Sequence, residues 1–146
     1  MKMATRSLIG YYNQEDGSIT TTYVHYDGYV ASVGAVLNEC YKSNTQAKAI
    51  TNVGYISSLS SDIGDSVSSA VNTEPTEHYH SVEDYLKFGL DGGIEYVYLW
   101  DGEAWFVAAS DERKFTDVRT VLDDMALIEK KFQKGLKKGL QSFWFE

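Results

Sequence analysis

His25 and Asp27 stand two residues apart where a β-prone run ends, flanked by Tyr23, Tyr26 and Tyr29. Side chains two apart on a continuing strand share a face, so Asp27 can orient or charge the imidazole as in a general-base pair. Arg6 adds a guanidinium suited to phosphate or carboxylate, in a first strand with few other charges. One chemistry is therefore binding, sequestration or hydrolysis of a small phosphorylated, nucleotide-like ligand by Arg6, His25 and Asp27. A second is recognition without turnover, with Arg6, His25, Tyr26, Asp27 and Tyr29 forming a contact patch for a ligand or partner. A third needs no ligand: His25 caps the strand end, while Asp27-Gly28 makes the turn or caps the following helix. One histidine and one carboxylate do not define a reaction, so catalysis ranks last.

Other chemistry-bearing residues give weaker signals. His78-Tyr79-His80 places two imidazoles on one face of an extended segment, and His25 or Asp27 would have to complete a metal site. No second ligand motif accompanies the pair, so no metal is expected. Cys40 falls on the apolar face of a helical pattern, where it acts as a small apolar residue rather than a nucleophile. Gly89-Leu90-Asp91-Gly92-Gly93 lacks the lysine and Ser/Thr of a phosphate loop and reads as a helix stop plus turn, so no cofactor is expected. The terminal Phe143-Trp144-Phe145 cluster is read as a last strip of core ahead of a docking tip or a dimer contact.

Charge narrows the partners. The 146 residues carry a formal charge of −8, which opposes direct binding to nucleic acid. Residues 62–103 hold ten acids against Lys87 alone, whereas residues 130–138 hold five lysines and no acid. Asp62, Asp65, Glu74, Glu77, Glu83 and Asp84 are the candidate acidic surface for a basic or nucleic-acid-binding partner. The plainer reading is a solvated acidic surface plus a lysine-lined helix end that complements the macrodipole. The single cysteine, and the lack of a leader or an apolar run near ~18 residues, make a cytoplasmic setting the expectation, with no membrane contact.

The positioning elements follow from pattern. At this length, with 43% hydrophobic residues, one α+β domain over 1–146 is expected. Arg6–Tyr12 and Ser18–Tyr26 form a hairpin through Asp16-Gly17, and Ile94–Trp100 and Ala104–Ala109 form another through Asp101-Gly102. Helical spacing begins at Val30, again over Thr45–Val53 with Gly54 as stop, and after the N-cap Ser81; residues 55–71 read as loop with a short strand at Tyr55–Leu59. Val118, Val121, Leu122, Met125, Ile128, Phe132, Leu136 and Leu140 mark a long C-terminal amphipathic helix that should cover the sheet, weakened at Gly135 and Gly139. Together these predict a four-stranded antiparallel sheet from two hairpins, with helices mainly on one face.

Thr5-Arg6-Ser7-Leu8-Ile9-Gly10, Glu15-Asp16-Gly17-Ser18, Tyr23-Val24-His25-Tyr26-Asp27-Gly28-Tyr29, Val33-Gly34, Leu37, Tyr41 and Gly54-Tyr55-Ile56-Ser57-Ser58-Leu59 together resemble a group of small uncharacterised tailed-bacteriophage proteins. The resemblance spans roughly residues 4–60. The chain departs from the group at Tyr26, where Trp is usual, and at Val30, where proline is common. What the resemblance implies is an accessory protein in the host cytoplasm that modulates or inhibits a host bacterial protein by surface occupancy, a homo-oligomer being open.

Overall fold

Along the chain run β1 (Ser7–Tyr12), β2 (Ile19–Val24), a π-helical turn (Val30–Gly34), α1 (Ala35–Cys40), α2 (Asn44–Thr51), β3 (Tyr55–Ile56) and α3 (Ile63–Ser68). They are followed by β4 (Glu77–Tyr79), α4 (Val82–Asp91), β5 (Tyr96–Trp100), β6 (Trp105–Ala109), β7 (Thr116–Asp117) and α5 (Val118–Phe145). The computed structural model describes residues 4–70 and 76–145, with side chains to residue 135. Both Asp-Gly hairpins are present, with Gly17 and Gly102 at φ 76° and 110°, a conformation that side chains with a Cβ rarely adopt. Ser81 caps α4 as expected, its hydroxyl accepting from the Asp84 N–H at 3.1 Å.

The fold is α+β, but the four-stranded antiparallel sheet is corrected. The hairpins lie side by side through a parallel β1–β5 pair, Ser7 opposite Tyr96 through Tyr11 opposite Trp100. The result is a seven-stranded mixed sheet in the order β3-β2-β1-β5-β6-β7, with β4 also on β2. A parallel neighbour requires a long crossover, and the segment between the hairpins supplies one with helices. The added strands β3, β4 and β7 are two or three residues long, too short to show a period of two in sequence.

Alternation along the strands feeds two cores. Ile9, Val24, Tyr98, Trp100, Trp105 and Val107 pack under the π-helical turn, α1, α2 and the start of α5. Leu8, Ile19, Val97, Leu99 and Ala108 pack on the other face with Tyr85 and Leu90 of α4. Helices therefore cover both faces, although most lie on the first. Gly34 approaches Val30, Tyr98 and Val118 so closely that a Cβ would sit 3.0–3.4 Å from them, which lets this helix pack tightly.

α5 also differs from expectation. Val118 is buried and Val121 and Leu122 are half-buried, but every residue from Asp123 to Gly135 is exposed. Only its first turns cover the sheet; the helix then continues unbroken through Gly135 and away from the body. The Phe143-Trp144-Phe145 side chains lie outside the described residues.

Candidate functional site

β2 stops at Val24, and the His25 corner begins there. The His25 and Tyr26 N–H groups donate to the carbonyls of Ile56 (3.1 Å) and Ser57 (2.9 Å), holding the chain beside β3. Asp27 then turns left-handed at φ 57°. Because the strand does not continue, the premise of a shared His25–Asp27 face fails, and no hydrogen bond or ion pair joins the two side chains among the described residues. Asp27 instead occupies a turn position that Asp tolerates better than most residues. Gly28 completes the turn: its N–H donates to Thr5 O (2.8 Å), its carbonyl accepts from Tyr98 Oη (2.7 Å), and a Cβ would lie 2.7 Å from that of Ser7.

His25 is half-buried in an aromatic group rather than set against a carboxylate. Nδ1 lies 2.9 Å from Tyr23 Oη, the ring meets Tyr26 edge-on at 4.5 Å, and Tyr55 is stacked at 6.4 Å. Burial, followed by the neighbouring Tyr55, pushes the Tyr23 phenol above its ordinary pKa, so it keeps its proton.

The structure brings some of the sequence-predicted residues together and separates others. Arg6, one step beyond the Ser7–Val24 pair, lies across from His25. Its backbone N–H donates to Glu95 Oε2 at 2.7 Å and its Nε lies 3.9 Å from the same oxygen, so the guanidinium is already countered. Tyr26 is exposed beside His25 (45%). Tyr29, also exposed (43%), points to the opposite side, where it lines a groove with Tyr96, Val121 and Met125.

A cleft of about 440 Å³ opens next to Tyr23 on the α4 face, lined by Tyr23, Tyr55, Tyr79, Phe88, Ile94 and Glu77 among others. Tyr23 and Tyr55 are 4.8 Å apart between ring centroids. Tyr79 donates to Glu77 Oε2 at 3.3 Å, and burial, aided by the Glu77 charge, pushes its phenol up to about 12. The lining contains one carboxylate and no cationic side chain. Aromatic faces around a carboxylate suit a cation, whose attraction to ring faces adds to the Coulomb term. Lys87 Nζ already lies 5.4 Å from the Phe88 centroid, on the same helix. Tyr55, Tyr79 and Phe88 escape a sequence reading because β3, β4 and α4 must first converge on β2 and β1.

The acidic residues are divided. Asp62 caps α3, accepting from the Gly64 N–H at 2.8 Å, and Asp65 sits in that helix's first turn. Glu83 and Asp84 occupy the first turn of α4, where they complement the helix dipole. α3 is tied to Tyr41 through Ser66, on the face opposite α4, so the expected single acidic surface is split across the sheet; Glu74 lies outside the described residues. His78 pairs with Thr20, its Nδ1 3.2 Å from Thr20 Oγ1. His25 lies five residues beyond Thr20, just past the end of β2, on the order of 17 Å away at about 3.3 Å per residue, so the two cannot share a metal. Among the described residues no cluster of three His, Cys, Asp or Glu forms a metal site, and no helix is long and apolar enough to cross a membrane. No protein-family model, curated protein or solved structure matches the chain at a significant level.

Proposed function

We propose that the protein acts by occupying a partner protein, without turnover, through the tyrosine-rich cleft and the adjoining His25 corner, the cleft accepting a basic side chain of that partner. The observation that carries this reading is the lining itself: Tyr23, Tyr55, Tyr79 and Phe88 line the cleft together with Glu77, with no cationic side chain among them. Exposed Tyr26 beside His25 extends the contact area with a rigid amphipathic ring, a residue type favoured where proteins meet. A phosphorylated ligand fits less well, since Arg6 is countered by Glu95 and the neighbouring cleft carries a carboxylate. General-base chemistry lacks its orienting carboxylate, because Asp27 is taken up by the left-handed turn. The likeness of residues 4–60 to tailed-bacteriophage proteins makes a host bacterial protein the natural target.

Capture from a bacterial lysate with tagged protein tests this, comparing wild type with Glu77→Gln/Tyr26→Ala. The expected result is a basic protein retained by wild type, released by salt and lost in the double variant, whose circular dichroism is unchanged. Equal capture by both proteins contradicts the reading. Thermal stabilisation by nucleotide or inorganic phosphate, abolished by His25→Ala, favours the phosphorylated ligand instead.

A further inference from the structure

The geometry points to antiparallel pairing of α5 with α5 of a second copy of this chain. The helix is 28 residues long, about 42 Å at ~1.5 Å per residue. Its apolar stripe starts inside the core at Val118 and Val121 and continues outward as Met125, Ile128 and Phe132, the last two 66% and 62% exposed. These positions repeat with a spacing of seven (Val118, Met125, Phe132; Val121, Ile128), the seam of a two-helix coil. Nothing in the described body covers the seam beyond Leu122. An amphipathic helix gains most of its stability from packing that face, so the outer turns call for an occupant.

Charge selects the occupant and its direction. From residue 117 to 129 the helix region carries Asp117, Asp123, Asp124 and Glu129 against Arg119, whereas residues 130–138 carry five lysines and no acid. A parallel partner would set lysines against lysines. An antiparallel copy, related by a twofold axis crossing near Lys130, sets the acidic half of each helix against the basic half of the other. The same axis faces Ile128 with Phe132 of the second copy and Met125 with its Gly135, a position where an added Cβ would meet nothing within 4 Å. Bulky and small positions therefore meet along one seam.

Sedimentation equilibrium of the full chain tests the pairing. Wild type should behave as a dimer of the 16.4 kDa chain. Ile128→Asp/Phe132→Asp, both at exposed sites the monomer does not use, should weaken association roughly 100-fold or more. Lys130→Glu/Lys131→Glu/Lys134→Glu/Lys137→Glu/Lys138→Glu replaces all five lysines of residues 130–138 by acids and should dissociate it at low salt. Adding an Asp123→Lys/Asp124→Lys chain to that variant should restore a dimer of the two. Wild type that stays monomeric at every concentration, or a dimer indifferent to both sets of substitutions, overturns the proposal.

Discussion

The tyrosines of the core and those of the cleft and corner show how one residue type serves two ends. Tyr85 is fully buried with its hydroxyl donating to Tyr98 O at 2.6 Å and Leu8 O at 3.2 Å; Tyr98 donates to Gly28 O, and Tyr41 to Ser60 O at 2.7 Å. Each of these phenols closes a backbone carbonyl inside the protein, which a buried hydroxyl must do to avoid an unsatisfied polar group. Tyr26 and Tyr29 keep much of their surface in water, and Tyr23 and Tyr79 spend their hydroxyls on His25 and Glu77 at the surface. Where the hydroxyl goes, rather than the ring, separates scaffold from the proposed binding surface.

The largest effect that would sharpen this contrast is alkaline unfolding. Burial raises the pKa of Tyr85 well above 10.0 and raises that of Tyr98 strongly as well. A tyrosine whose folded pKa lies above its unfolded value binds its proton more tightly in the fold. That stability is fully present below pH 10 and is lost as pH rises through the raised values. Tyrosinate absorbance should thus rise in two stages, exposed phenols first and the buried ones together with loss of the circular dichroism signal. Gradual ionisation of all eleven tyrosines with the fold intact would erase the distinction.

Next in size, Tyr85→Ala should cost about 3–5 kcal/mol in urea unfolding, because it empties the space between α4 and the sheet. Tyr98→Phe keeps the ring but leaves the Gly28 carbonyl without its donor, and should cost about 1–3 kcal/mol. Smallest of all, Tyr26→Ala should change stability by less than about 0.5 kcal/mol while weakening partner capture. A destabilisation by Tyr26→Ala comparable to that of Tyr98→Phe would place the corner with the scaffold.

What was legible in the sequence was local. Asp16-Gly17 and Asp101-Gly102 specify their hairpins because the turn demands a left-handed glycine, and Ser81 specifies the α4 start through one hydrogen bond three residues away. The parallel β1–β5 junction was hidden, since its partners are about ninety residues apart and nothing in either strand marks the direction of its neighbour. Of the site, the exposed corner was visible as a polar aromatic break in a strand run. The cleft was not: Tyr79 reaches it only through the Ile19–Tyr79 pairing, and Phe88 only through the docking of α4. Asp27 misled because its spacing from His25 counts as one face only if the strand continues, and a single left-handed residue cancels that arithmetic. α5 misled in another way, since an apolar stripe announces that something must cover it without saying that the cover is this chain's own sheet.

The most direct test of the cleft is an aromatic-ring NMR titration of the full chain with an oligolysine peptide and, in parallel, with inorganic phosphate. Occupancy by a basic side chain predicts saturable shifts of the Tyr23, Tyr55, Tyr79 and Phe88 rings with the peptide, weakened by Glu77→Gln, and none with phosphate. Shifts of His25 driven by phosphate, with the four cleft rings unmoved by the peptide, would contradict it.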